Sequence, residues 1–229
     1  LEQPNLGSVS CEAGLNGVVG KGLIDARVDG SVSQLEFNGY DYDSLRFGGR
    51  LTEKTFNGHV RADDPALRFD FQGEVGFNPE RPHYDFDLDL IHADLARMHL
   101  NRRDSVSVLS ALVEARASGR TLDDLNGKVT VGDVVYRYNA DTLRTTRLTL
   151  DGQNSAGSKY LSLQSEFADA TFRSRTDYKT VFEYLRSSLE KYIPLLYDER
   201  KARKRAAGAV SVVDDYSVLS VDVKHFTPV

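Results

Sequence analysis

Eleven consecutive residues, Leu67 to Phe77, alternate with a period of two. Leu67, Phe69, Phe71, Val75 and Phe77 hold the odd positions, with Gly73 among them. Arg68, Asp70, Gln72, Glu74 and Gly76 hold the even ones. Successive side chains of a strand point to opposite faces, so this run predicts one long strand, or two joined smoothly, with an apolar and a wet face. The same alternation returns in residues 23–28, 34–37, 43–51, 55–60 and 84–90. It returns again in 127–131, 134–138, 147–150, 160–167, 170–173, 210–213 and 218–223.

Asn-Gly pairs punctuate this series at Asn16-Gly17, Asn38-Gly39, Asn57-Gly58 and Asn126-Gly127. Asn-Gly accepts positive φ and reads as a tight turn. Short strands joined by short turns predict an antiparallel meander. No regular alternation with helices is present, which argues against a doubly wound α/β fold.

Two stretches break the pattern. Asn101-Arg-Arg-Asp104 reads as a polar turn, followed from Ser105 by a run that fits a strand or a short helix, with strand the preferred reading. In 177–207, Val181, Phe182, Leu185, Leu189, Tyr192, Ile193 and Leu196 fall at helical spacing. Thr176 or Asp177 can cap this amphipathic helix, and Pro194 kinks or ends it. Five basic residues follow within Arg200 to Arg205. The expected organisation is an amphipathic β-sheet segment over 1–174, the helix with its basic end over 175–207, and further strands of the same sheet over 208–229.

The chain of 229 residues carries 34 acidic and 29 basic side chains, a net charge of −5, which argues against nucleic acid as its main partner. One cysteine, Cys11, excludes an internal disulfide, and its neighbours supply no cation to activate it. No apolar stretch approaches the roughly 20 residues of a membrane span. The chain begins at Leu1 and reads as a piece of something longer.

Catalytic chemistry is hard to find in the sequence. Asp85, Asp87 and Asp89 alternate with Phe86, Leu88 and Leu90, so the acids read as the wet face of a strand and not as a calcium loop. His59, His83, His92, His99 and His225 lack metal-site spacing. Neither a nucleophile elbow nor a phosphate-cradling glycine loop occurs. The expectation is a protein that is not an enzyme and needs no cofactor or metal. What the residues leave open is whether the greasy strand faces close into a sandwich core or line an open trough, since both need the same alternation.

Leu35-Glu-Phe-Asn-Gly-Tyr-Asp-Tyr-Asp-Ser-Leu45, Phe56-Asn-Gly-His-Val60 and Leu67-Arg-Phe-Asp-Phe-Gln-Gly73 together resemble the TamB family of AsmA-like proteins. Phe86 to Leu95, Leu100 to Leu109 and the Tyr178 to Tyr197 segment fit as well, over about residues 23–229. The resemblance, closest to Bacteroidetes members, implies a mostly β fold. In it a long antiparallel meander curls into a taco-like half-pipe with an apolar interior, joined by the amphipathic helical segment. It implies an internal slice of a periplasmic protein anchored at the inner membrane. Such a slice provides an apolar groove for phospholipid transport to the outer membrane or for outer-membrane protein assembly, with a BamA-like barrel as partner. On this reading acyl chains lie against Leu35, Phe37, Leu67, Phe69, Phe71, Val75, Phe77, Tyr84, Phe86 and Leu88. The rival is a closed β-sandwich serving as a binding or adhesion module of the cell envelope. A third class, a glycosidase with carboxylates not singled out, would need an acidic pair in a cleft. Open strand edges are expected to invite edge-to-edge dimers of the isolated chain.

Overall fold

The structure, a computed structural model, describes residues 6–20, 23–155, 157–178 and 217–224. Among them, thirteen strands form one open antiparallel sheet, with no second sheet packed on it. The strands are β1 (Leu6–Gly20), β2 (Leu23–Phe37), β3 (Tyr40–Tyr42), β4 (Leu45–Thr52), β5 (Thr55–Asp63), β6 (Leu67–Gly76) and β7 (His83–Asp94). After them come β8 (Ser107–Ser118), β9 (Asn126–Tyr138), β10 (Asp141–Ser155), β11 (Ser158–Ser165), β12 (Ala168–Ser174) and β13 (Val218–Val223). Twelve of them follow chain order across the sheet, and β3 pairs with β2 beside β4. The meander expected from the sequence is therefore present, as an open sheet. The expected helix over 175–207 lies, apart from 175–178, outside the described residues.

The strand register keeps the two faces separate from edge to edge. One cross-strand row runs Leu15, Val28, Gly49, Gly58, Gly73 and Phe86. The same row continues through Ala115, Val129, Leu150, Leu163, Ala170 and Val221. Every position in it is apolar or glycine. The neighbouring row on the opposite face runs Asn16, Arg27, Arg50, Asn57, Glu74 and Asp85, then Arg116, Lys128, Asp151, Ser162, Thr171 and Ser220. Every position there is polar. A one-residue slip in any strand would exchange the two, so the hydrophobic pattern itself holds the register.

Three of the four Asn-Gly pairs are not turns. Asn38-Gly39 is one, with φ of 54° and 76°. The other three lie inside strands: Asn16-Gly17 in β1, Asn57-Gly58 in β5 and Asn126-Gly127 at the start of β9. At Gly58 the physical reason is close approach. A Cβ there would meet the carbonyl oxygen of Gly48 and lie 2.7 Å from the Gly49 Cα. Opposed Cβ atoms of ordinary strands stand about 4.5–5.5 Å apart. The backbone of β4 thus passes too close to Gly58 for a side chain to fit there. Gly73, beside Gly58 in the same row, has φ of 142°, and a Cβ there would strike the Asp85 carbonyl and the Phe86 backbone. Glycine in these strands marks a bend, as backbone crowding on one side requires.

Candidate apolar binding face

Four parallel rows of apolar side chains make up the face. Beside the glycine row lies Phe47, Val60, Phe71, Leu88, Val113, Val131 and Leu148. On its other side lies Leu51, Phe56, Val75, Tyr84 and Ala117, then Leu161, Phe172 and Leu219 beyond Gly127 and Gly152. A fourth row, Val32, Leu45, Ala62, Phe69 and Leu90, borders the first end of the sheet. Rows two residues apart on a strand lie about 7 Å apart, and eleven strand spacings of about 4.8 Å give a face about 20 Å by 53 Å measured along the sheet.

The ten residues expected to line a groove divide into three sets. Phe69, Phe71, Val75, Tyr84, Phe86 and Leu88 sit together in the middle of this face on β6 and β7, each half-buried. Phe71 and Phe86 are in contact across the strands, ring centroids 5.2 Å apart. Leu35, Phe37 and Leu67 instead pack into a closed corner, against the buried Tyr42, Ala66, Ala93 and Met98. Phe77 lies beyond the end of β6 and is exposed. Sequence reasoning omitted residues that share the face with Phe71, notably Phe47, Phe56 and Val60, and the valines and leucines of β9 to β11. Their signal was the phase of alternation within each strand, which assigns every apolar position to one side once the register is known.

The corner closes one end of the strands around a carboxylate. Asp64 is buried and accepts hydrogen bonds from the Tyr40 hydroxyl (2.9 Å), the Asp43 amide (3.1 Å) and the Ala66 amide (2.7 Å). The last closes an Asp-Pro-Ala turn between β5 and β6. Burial and the hydrogen bond to Asp64 push the Tyr40 phenol up to about 12. The loop after β7 is tied to the β2–β3 turn through Asn38 and His99. The Asn38 amide donates to the His99 carbonyl (3.0 Å), and the His99 ring sits 3.1 Å from the Asn38 carbonyl.

At the opposite strand ends, Lys159 bridges Asp123 (2.8 Å) and Asp177 (2.6 Å). Burial would lower its pKa, but hydrogen bonds to the two carboxylates outweigh this and raise it. Asp123 also accepts from the Tyr178 amide (2.7 Å). The Tyr178 ring rests 4.9 Å from Phe172 of the apolar face. The short 3₁₀ turn Leu122–Asp124 carries Asp123 here. Burial raises the neighbouring Asp124 carboxyl, yet the Thr121 and Arg120 amides that donate to it hold it down at about 2.

Among the described residues the polar face carries ion pairs. Arg116 bridges Asp85 (2.8 Å) and Asp87 (2.9 Å), and Arg50 grips Asp25 with two bonds of 2.7 Å. Asp85 and Asp87 thus serve a guanidinium. His83 pairs with Glu74 at 2.6 Å, and Asn57 and His83 together lower the Glu74 carboxyl. These groups are solvated, where such pairs contribute little to stability. What the arrangement can do chemically is bury hydrocarbon on one side while water wets the other. No family model matches the chain, and neither a curated protein nor a solved structure does.

Proposed function

We propose that the apolar face is a passive binding surface for acyl chains, in a periplasmic segment of a TamB-like protein. The sheet would act as a half-pipe, with lipid tails in its lining and head groups at the strand ends. The observation that carries the reading is the unbroken apolar row from Leu15 to Val221, uncovered by any second sheet among the described residues. A closed sandwich would instead bury Phe69, Phe71, Phe86 and Leu88 almost completely, and all four keep solvent access. Glycine at positions 58 and 73 lets neighbouring backbones approach closely, which is compatible with a sheet that curls.

Each methylene removed from water contributes about 0.8 kcal/mol, so a long tail binds without specific hydrogen bonds. Because successive rows are alike, a tail can move from strand to strand with little change in energy. In the whole protein this would serve phospholipid transfer toward the outer membrane, or assembly of outer-membrane proteins with a BamA-like barrel, from a chain anchored at the inner membrane. No step of this needs a cofactor or a catalytic residue.

Native mass spectrometry with lipid extraction tests the reading, on chain purified from bacterial membranes in mild detergent. Co-purifying phospholipid is expected, and its loss in Phe69→Asp/Phe71→Asp with far-UV circular dichroism unchanged. A lipid-free wild-type mass would count against it.

A further inference from the structure

We infer that a phospholipid lies along the strands of this face, with its tail ends at the corner and its head group at the opposite strand ends. This direction rests on the reading of the face as an acyl-chain surface. The two ends of the strands differ in what covers the apolar side. At one end, the last residues of β5 and β7 and the first of β6 and β8 share a margin with the loop after β7. That loop is pinned in place. The Asp94 amide donates to the Ala66 carbonyl (2.8 Å) and the Leu95 amide to the Ser107 carbonyl (2.7 Å). The Leu100 and Asn101 amides both donate to the Leu95 carbonyl at 2.9 Å. Met98 of the loop is 2% exposed, in one cluster with Tyr42, Ala66 and Ala93. Leu45 and Leu90, from the apolar row nearest this margin, pack against the same cluster.

At the other end the same strands finish at Leu51, Phe56, Val75 and Tyr84, all of which keep solvent access. Phe77, just past the end of β6, is 49% exposed, although the Lys54 carbonyl accepts from its amide at 2.6 Å. The turns on this side carry Glu53, Lys54, Glu80 and Arg81, each exposed. A head group therefore meets water and charge of both signs at these turns, and a packed wall at the corner. Placed at the corner it would have to be dried, which is costly for a charged group.

Length agrees with this direction. Six residues separate Phe56 from Ala62 along β5, about 20 Å of strand. The acyl chains of one bilayer leaflet span about 15 Å, half of the hydrocarbon core. Tails laid along the strands thus fit between the wall and the turns, and neighbouring lipids lie side by side across the sheet.

Cysteine mapping on the full 229-residue chain tests the direction. The probe is a phosphatidylethanolamine with a maleimide on its head group, carried in phosphatidylcholine vesicles. In a Cys11→Ser background, Lys54→Cys and Arg81→Cys sit at the open ends, and Asp41→Cys and Arg102→Cys at the corner; all four positions are exposed. A head group held at one margin has a raised effective concentration there, so the adduct, read by intact mass, should form at least about tenfold faster in the first pair than in the second. Rates with soluble N-ethylmaleimide correct for differences in thiol reactivity. Phe69→Asp/Phe71→Asp, added to each variant, should abolish the preference. A preference that survives that change belongs to the turns and not to the face, and overturns the inference. Equal or reversed rates, or no adduct at any site, in a chain that retains phospholipid by native mass spectrometry overturn the direction and leave the acyl-chain reading standing. A chain that retains no lipid removes that reading, and the direction with it.

Discussion

Gly58 shows how much of this sheet depends on an absent side chain. An added methyl at Gly58 has the Gly48 carbonyl in its way and must push β4 outward, while one at Gly132 finds its nearest neighbour at 3.6 Å. Gly58→Ala is expected to lower stability by about 1–3 kcal/mol through backbone strain, and Gly132→Ala to change it by less than about 0.5 kcal/mol, read from urea midpoints. Equal effects would show that crowding at Gly58 is not what the glycine relieves. The Tyr40–Asp64 bond carries a pH prediction. The phenol titrates near 10 in the unfolded chain and at about 12 in the fold. Its contribution is complete below about pH 10 and is lost as pH rises through 12. The urea midpoint should therefore fall between pH 10 and 12 more steeply in the wild type than in Tyr40→Phe. The residue scale is also where the sequence misled. Asn38-Gly39 and Asn57-Gly58 look alike locally, yet the first needs positive φ for a turn and the second needs room for a neighbouring strand. Only the partner across the ladder distinguishes them.

At the scale of elements, strand order and face assignment were legible because every strand carries its own phase of alternation. Strand ends were less so. β10 runs from Asp141 to Ser155, but only Arg147 to Leu150 alternates clearly, because Thr142, Thr145, Thr146 and Thr149 suit either face. β1 was not foreseen as a strand at all, since Gly7, Gly14, Gly17 and Gly20 dilute its apolar signal. The corner around Asp64 escaped for another reason. It is assembled from the β2–β3 turn, the β5–β6 turn and the loop after β7, and nothing in any one of them announces the others. Hence Leu35, Phe37 and Leu67 look like groove residues in sequence and are corner residues in space. At the other strand ends, Lys159→Met leaves Asp123 and Asp177 without their shared cation. It should cost up to about 1 kcal/mol in denaturant unfolding, since both carboxylates can be hydrated, and loosen Tyr178 from Phe172. Asp124→Asn tests the adjacent turn. The Asp124 carboxyl, held at about 2, contributes stability that is full above its ordinary 3.8 and lost as pH falls toward 2. The acid-induced loss of stability should be shallower in the variant.

At the scale of the whole molecule, the described strands are held by the strands beside them in the sheet and by little else, apart from the corner. Stability should then grade along the sheet as it does in other quasi-linear folds. Amide hydrogen exchange is expected to be slowest in β5 to β8 and fastest in β1 and β13; uniform protection would contradict a sheet stabilised by nearest neighbours. Whether the apolar faces close or stay open could not be read from alternation, because a sandwich and a trough ask the same of each strand. The answer lies in the sheet order: among the described residues the strands follow one another across a single layer, with β3 alone off the path beside β2. One consequence follows from the row that runs from Leu15 to Val221. Every hairpin presents the same few apolar positions at the same height, so hairpins are interchangeable units. Gain or loss of one pair of strands leaves the stripe unbroken and alters its length by about 9.6 Å. A chain of this kind is a ruler whose graduations are hairpins, and its span can be set by counting them, without redesigning a single contact surface.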